Sequence, residues 1–390
     1  MSVTCGPKGK VHDYVPFYFC PRTPMFLSII KSRNYDQIYF ITFAISIDKL
    51  ASEKFVFTNK SANRRLDPPQ FYECPTNLEN LSWDIIESRG WSCNSESDKH
   101  KKMAEALHYG AFKISDIDYI VVWNECFKKI VENEFKSAGI ECPPIYYDGR
   151  NNYFHYYTDP SSNYTESLVH GPIITKQTYE NIVTNINNER KRVNSSYQFD
   201  DIEDALCSIR EDFTKIREFR DIIDLETDNK VHRENVDSHT RLVVKNLTQS
   251  PEYKSLNDYE KLVVEFAAFL HDIGKGPKSR WPNGKQKVDD DHPRKSAEYL
   301  QRILIEDIDC LPNKHVRQVV LLVIYHDFFG DHIASGRSLD EIIDVLENES
   351  ELQMLYALAK ADVLSIHSPW YNDNVSKWEA AYQTIKDTFE

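Results

Sequence analysis

Six side chains with metal-ligand chemistry stand in the second half of the sequence. They are His239 in VDSHTRLVV, His271 and Asp272 in EFAAFLHDIGKG (265–276), His292 in DDDHPRKSAEYL, His326 in VIYHDFF and Asp362 in ALAKADVLSI. Each lies beside or inside an apolar run of helical period. One such residue is ordinarily a hydrogen-bonded core polar group, but six within about 125 residues are hard to account for that way. Burying an uncompensated carboxylate costs several kcal/mol, and a divalent cation removes that cost. Imidazole and carboxylate together suit Mn, Fe, Co, Ni, Zn or Mg, so the ligand types do not select one metal. The His271-Asp272 pair taken alone has a second reading, a helix cap with Gly274 and Gly276 stopping the helix. Adjacent helical residues point about 100° apart, so the pair could also address two sides of one ion, or two neighbouring ions.

The elements that must position these residues are helices. From about residue 175 onward the period is helical, in QTYENIVTNINNERKRV, DIEDALCSIREDFTKIREFRDII, YEKLVVEFAAFLHDI, KSAEYLQRILI, KHVRQVVLLVIYHDFF, SLDEIIDVLE and ELQMLYALAKADVLSI. The first part of the chain has another texture. VPFYF, QIYFITFAI, KFVFT, DYIVVW (118–123) and PPIYYD (143–148) read as strands separated by turn signals. The expected organisation is an α+β module over 1–160, an acidic helical connector over 161–215 and an all-α bundle over 216–390.

Composition sets the frame. The chain has 390 residues, 41% hydrophobic and 12% aromatic, enough for two or three domains with real cores. No apolar run reaches membrane-spanning length and no signal segment opens the chain, so a soluble cytoplasmic protein without a membrane partner is expected. The eight cysteines are scattered and never form CxxC, which argues against a disulfide framework and a structural zinc site. The net charge of -14 disfavours indiscriminate nucleic-acid binding. It is uneven, however: residues 1–114 hold 15 Lys/Arg against 12 Asp/Glu, leaving 32 against 49 in the rest. The first part is therefore the better candidate for contact with nucleic acid.

The order His239, then His271-Asp272, then Asp362 resembles the HD superfamily of metal-dependent phosphohydrolases, whose most recognisable string, LLHDIGK, stands here as FLHDIGK. The resemblance covers about residues 216–370. It implies one or two divalent cations, a nucleotide or other phosphate-ester substrate, and a bound water made acidic by the metal. It also implies His292 and His326 as the added ligands of two-metal members, Asp272 as a catalytic bridge, and Lys275 as a point charge on a phosphate oxygen. A surface lysine at a helix C-terminus is the plainer reading of Lys275. Guanosine tetraphosphate hydrolases of the superfamily carry acidic residues where this chain has Ile273-Gly274-Lys275, which disfavours that activity. The lack of an accompanying helicase motor disfavours a nuclease of the CRISPR type.

HDYVPFYFCPRTPMF (12–26) closely resembles the DarT family of DNA ADP-ribosyltransferases. FVFTNKSAN (55–63), LSWDIIESRGW (81–91), KHKKMAEALHYGAF (99–112) and YYDGRNNYFHYY (146–157) continue the resemblance in order. It implies NAD as cofactor, single-stranded DNA as substrate, a toxin or phage-defence role and a macrodomain antitoxin as partner. Glu105 would be the catalytic glutamate, with Arg22 and Tyr18 binding the cofactor. Arg22, Arg64, Arg65, Lys101 and Lys102 are candidates for phosphate contacts. By its local sequence alone Glu105 reads as a solvated helix residue. Three departures stand out. The family's opening Thr-His-x-x-Asn-Leu element, which serves NAD, has no counterpart; Lys60 replaces a turn glycine; and Met103 replaces a glutamine. They imply either a start upstream of Met1 or a shortened domain with an open-sided pocket and weak NAD binding. In the second case the module would be a single-stranded DNA platform that delivers or regulates the helical half.

Overall fold

In a computed structural model of the protein, residues 1–64, 66–90, 93, 95–147, 154–159, 165–192, 196–228 and 234–389 are described. The chain divides into two compact units, Met1–Lys31 with Tyr35–His170, and Ser32–Asn34 with Gly171–Glu390.

The first unit is α+β, as expected. Strands β1 (Tyr14–Tyr18), β3 (Phe55–Thr58), β4 (Phe71–Tyr72) and β5 (Glu105–Tyr109) form one antiparallel sheet in the order β1-β5-β3-β4. Strands β2 (Thr42–Ala44), β6 (Tyr119–Val121) and β7 (Ile145–Tyr146) form a second sheet, with β2 antiparallel and β7 parallel to β6. The helices are α1 (Pro24–Lys31), α2 (Trp83–Ile86), α3 (Glu96–Lys102) and α4 (Glu125–Ala138). The first sheet is covered on both faces. Phe55, Phe57 and Ala106 pack with Cys20, Leu50, Leu81 and Ile86 on one side, and Val56 and Leu107 with Val3, Tyr14 and Ala62 on the other. That two-sided burial is why FVFT reads as a continuous apolar run rather than an alternating one.

QIYFITFAI, expected as one strand, is a 3-10 turn over Gln37–Tyr39 followed by the short β2. The cause is Gln37. Its buried amide bonds Tyr157 O and Ser167 Oγ at 2.5 Å each and accepts from Tyr157 N at 3.0 Å, which draws the backbone out of the ladder. Arg65, Trp91 and residues 148–153 of the aromatic stretch lie outside the described residues.

Among the described residues the second unit is helical, as expected, apart from a two-residue parallel pairing of β8 (Glu226–Thr227) with β9 (Lys285–Gln286) and an isolated bridge between Phe199 and Ile308. Its helices are α5 (Pro172–Arg190), α6 (Ile202–Glu211), α7 (Val236–Gln249), α8 (Pro251–Ser255), α9 (Asp258–Leu270), α10 (His292–Arg302), α11 (Asn313–Tyr325), α12 (Phe328–Ser335), α13 (Leu339–Ile343) and α14 (Glu349–Lys386). Helices α5 and α6, in the stretch expected as a connector, contribute Tyr179, Ile182, Ile186, Ala205, Leu206 and Ile209 to this unit's single core. Helix α11 is buried almost all round, as a central helix must be. Helices α7, α9 and α14 pack with it in the same core.

Two glycines after α9 set the spacing there. A Cβ on Gly274 would stand 2.2 Å from Ser296 N and 2.6 Å from His292 O, so only glycine lets the first turn of α10 approach so closely. Gly274 N also donates to Ser296 Oγ at 2.9 Å. Gly276 meets Asp221 in the same way, at 2.9 Å from its Cβ. The role of Gly274 is thus close packing and not the left-handed stop expected of a cap. Gly274→Ala should push α10 away and cost about 1–3 kcal/mol, as overpacking does. Urea unfolding of the second unit measures it, and a loss below about 0.5 kcal/mol, ordinary for a surface site, would show that the approach is not tight.

Candidate functional site

The six candidate ligands of the second unit come from five places in the fold. His239 lies in the first turn of α7, and His271 is the residue at which α9 ends, with Asp272 next. His292 opens α10, His326 ends α11, and Asp362 sits inside α14. The structure brings all of them together. His239, His271 and Asp362 offer ligand atoms within 4.8 Å of one another, as do His271, Asp272 and His326. A third such group joins His292 and His326 to Asp327, a residue the sequence reading missed. The signal was available, because His326-Asp327 repeats the pattern of His271-Asp272: a His-Asp pair at the end of an apolar helix.

Asp272 stands between the two sets. Its Oδ2 is 3.6 Å from His239 Nε2 and 3.4 Å from His271 Nε2, and its Oδ1 is 3.2 Å from His292 Nε2. Asp362 Oδ1 lies 2.9 Å from His239 Nε2 and 3.7 Å from His271 Nε2. On the other side Asp327 approaches His326 Nε2 at 3.3 Å and His292 Nε2 at 3.5 Å. The two rings His292 and His326 meet Nε2 to Nε2 at 3.1 Å.

Three of the imidazoles are locked by the same device. His271 Nδ1 lies 2.7 Å from Ala268 O, His292 Nδ1 2.8 Å from Asp289 O, and His326 Nδ1 2.8 Å from Val323 O. Each is a carbonyl three residues back. A ring that donates from Nδ1 to a carbonyl keeps its Nε2 free as a ligand atom and in a fixed orientation. All three Nε2 atoms accordingly face the cluster.

The donors fit a divalent cation. His271 Nε2, Asp272 Oδ1 and Asp362 Oδ1 are buried without a hydrogen-bond partner, although polar atoms lie near each of them. Buried polar atoms that converge without mutual hydrogen bonds are an arrangement that a shared ion would satisfy. The electrostatics agree. Burial alone would raise the Asp272 carboxyl, but Lys275 and His271 hold it well below the usual carboxylate range. His239 and His271 do the same for Asp362. Burial opposes charge on His271, yet Asp272 outweighs it and pushes the imidazole up to about 10, so a cation at Nε2 would have to displace a proton. Lys275 is not a free surface lysine: its Nζ sits 2.7 Å from Asp272 Oδ2 with only 11% of its side chain exposed.

In the first unit Glu105 opens β5 directly after α3, so it is a strand residue and not the helix residue its neighbours suggest. It is 6% exposed, and its Oε1 accepts the Ala62 N–H at 3.1 Å. Its own N–H donates to Thr58 Oγ1 at 3.2 Å. Tyr18 is its partner across β1 and β5, so the two share a face of the sheet. Burial pushes the Glu105 carboxyl up, with the Ala62 N–H opposing. Burial, then Glu105, pushes the Tyr18 phenol up to about 12. Arg22 is 6% exposed, donates to Arg89 O at 3.0 Å and lies 5.7 Å from the Tyr157 ring centre. Lys102 corrects the expectation of a phosphate contact. Its ammonium is buried among Ile85 O, Ile86 O, Ser88 O and Ser88 Oγ at 2.6–3.3 Å, where it ties down the end of α2. Lys101 pairs with Asp98 at 4.0 Å, and Arg64 stays half-buried.

Comparison with known proteins finds a match in each half of the chain. Residues 1–155 match the family model described as ssDNA thymidine ADP-ribosyltransferase, DarT, and residues 236–365 match that of the HD domain. A DNA ADP-ribosyl transferase of Thermus sp. (strain 2.9) is 34% identical over 125 residues, 30% of this chain and 58% of that protein. One from Thermus aquaticus is 34% identical over 149 residues, 37% of this chain and 64% of that protein. The chain thus spans about three fifths of the length of these curated relatives. The solved structure of Thermus sp. 2.9 DarT in complex with NAD+ is 27% identical, with a TM-score of 0.36 over 40% of this chain and 78% of that one. No helix among the described residues is long and apolar enough to cross a membrane. The chain carries a DarT domain at residues 1–155 joined to an HD domain at residues 236–365.

Proposed function

We propose that the second unit hydrolyses phosphate esters with divalent metal held by His239, His271, Asp272, His292, His326, Asp327 and Asp362. The observation that carries this reading is the pair of triads on either side of Asp272, with buried, unpaired ligand atoms between them. Divalent cations in such a site supply Lewis acidity and lower the pKa of a bound water. The protein's part is to fix the donors. The carbonyl-locked rings present Nε2 inward, Asp272 reaches both triads, and Lys275 stands beside Asp272 where it can also meet a phosphoryl oxygen. Wild-type protein should take up Mn2+ and release product from model phosphomonoesters and phosphodiesters. Asp272→Ala should lower hydrolysis by roughly 100-fold or more, at least the scale of second-shell losses. The His271→Ala/Asp272→Ala double variant should bind no stoichiometric metal by elemental analysis. Equal metal content in wild type and double variant would end the reading, as would hydrolysis that survives EDTA.

For the first unit the reading is transfer of ADP-ribose from NAD to thymidine in single-stranded DNA, with Glu105 as the essential carboxylate. Support comes from the family match and from the position of Glu105 at the head of β5 beside Tyr18. Its carboxylate would hold the nicotinamide ribose and stabilise an oxocarbenium-like transition state. Arg22 would act from its buried place near Tyr157. A toxin or phage-defence role with a macrodomain partner follows from the same reading. A second reading, DNA binding without transfer, has one observation in its favour: the Glu105 carboxylate is buried and already engaged by the Ala62 N–H.

Glu105→Gln separates the two. Glutamine keeps the bond from Ala62 and removes a buried charge, so thermal stability at pH 8 should be unchanged or higher. Mass spectrometry of thymidine-containing single-stranded DNA incubated with NAD should show an adduct for wild type and none for Glu105→Gln. Because burial raises the Glu105 carboxyl and the ionised form is needed, the acid limb of transfer should lie above the ordinary glutamate value of 4.5. No adduct from wild type, with DNA binding intact, would favour the platform reading.

A further inference from the structure

His292 differs from the other candidate ligands in how it is held. His239 and Asp362 lie within helices, and His271-Asp272 and His326-Asp327 continue directly from helix ends. His292 comes after a stretch without helix, and its Nδ1 rests on a carbonyl of that stretch, Asp289 O, at 2.8 Å. The geometry of the ring therefore depends on what fixes Asp289.

Arg280 does so. Its Nη2 pairs with the Asp289 carboxylate, while its Nη1 donates to Gly274 O at 2.8 Å. One guanidinium thus ties the backbone of the His271-Asp272 turn to the residue that orients His292. The fork is itself held: its carbon lies 4.5 Å from the Trp281 ring centre, and Trp281 Nε1 donates to Lys275 O at 2.6 Å. Lys295 approaches the same carboxylate at 3.4 Å from one turn into α10, and Asp289 Oδ1 accepts the Asp291 N–H at 3.1 Å. Gly274 meanwhile abuts His292 O and Ser296.

We infer that Arg280, through Asp289, is a positioning residue that sets the distance between the two metal sites and makes the second one bind. The inference rests on the two-metal reading above. Arg280 touches neither substrate nor metal in this scheme; it acts by holding His292. The first site, built from His239, His271, Asp272 and Asp362, keeps its supports from α7, α9 and α14 and loses only the contact at Gly274 O, beyond its ligands. Loss of the fork should therefore act on one metal and not the other. Lysine at position 280 could reach Asp289 or Gly274 O but cannot span both, so it should give an intermediate effect.

The test is Mn2+ titration of the full chain, followed by elemental analysis and electron paramagnetic resonance, with melting of the metal-free proteins as a control. Wild type should bind two equivalents and show the signal of an exchange-coupled pair. Arg280→Ala should keep the first equivalent with affinity changed less than about twofold. The second should weaken by roughly 10–100-fold, the usual cost of losing a second-shell partner, and the coupled signal should give way to that of isolated Mn2+. His292→Ala should give the same signature by removing the ligand itself. If Arg280→Ala does not fold, Asp289→Asn, which keeps the carbonyl but breaks the charged pair, reads the same effect. A coupled pair of unchanged affinity in the variants would overturn the inference, and so would parallel weakening of both equivalents. A wild type that never binds a second equivalent would instead refute the two-metal reading, and this inference with it.

Discussion

Two carboxylates, Asp272 and Asp362, are buried in the middle of a helical bundle among imidazoles, and the second unit is organised around that constraint. Ionised carboxylates out of reach of water must be paired or coordinated. Here the partners are His239 and His271 on one side, Lys275 at Asp272 Oδ2, and His292 on the other. The bundle keeps them there by ending two of its most buried helices, α9 and α11, in a His-Asp pair. Apolar burial of those helices is thus what carries polar groups into a dry place.

Orientation is solved by the backbone. A ring can find a carbonyl three residues back, and a proton held there leaves the far nitrogen as ligand. His271, His292 and His326 all use it, from different elements. The glycine of HDIGKG serves the same centre from outside, by letting α10 lie against the turn and bring His292 within reach. Specific features of the string are therefore steric and electrostatic at once.

The first unit answers to a different constraint. Its four-stranded sheet is packed on both faces, so the polar groups that survive inside are committed ones. Lys102 satisfies a set of carbonyls, Gln37 replaces a stretch of ladder, and Glu105 sits at the head of a strand with one N–H and a tyrosine beside it. Glu105 is thus a buried carboxylate whose burial raises its proton affinity, with the Ala62 N–H opposing.

Much of this was legible in residue order. The shift from aromatic strands to helical period separated an α+β part from an all-helical part. Polar residues interrupting apolar helices marked His239, His271, Asp272, His292, His326 and Asp362, because a helix that buries such groups needs a reason. Asp327 was legible too, by analogy with Asp272, but adjacency to a marked histidine made it easy to pass over. The rest depended on distances that no local pattern encodes. That Asp272 lies between two sets of ligands, that Gly274 is packed rather than turned, and that Arg280 joins the turn to Asp289 are all contacts between separate elements. Lys102 and Gln37 misled for the same reason: a lysine beside other lysines looks solvated and QIYF looks extended until the carbonyls that claim them are in place. Sequence determines which groups must be buried; only the tertiary structure decides what they meet there, because hydrogen bonds and ion pairs select partners by position and not by type.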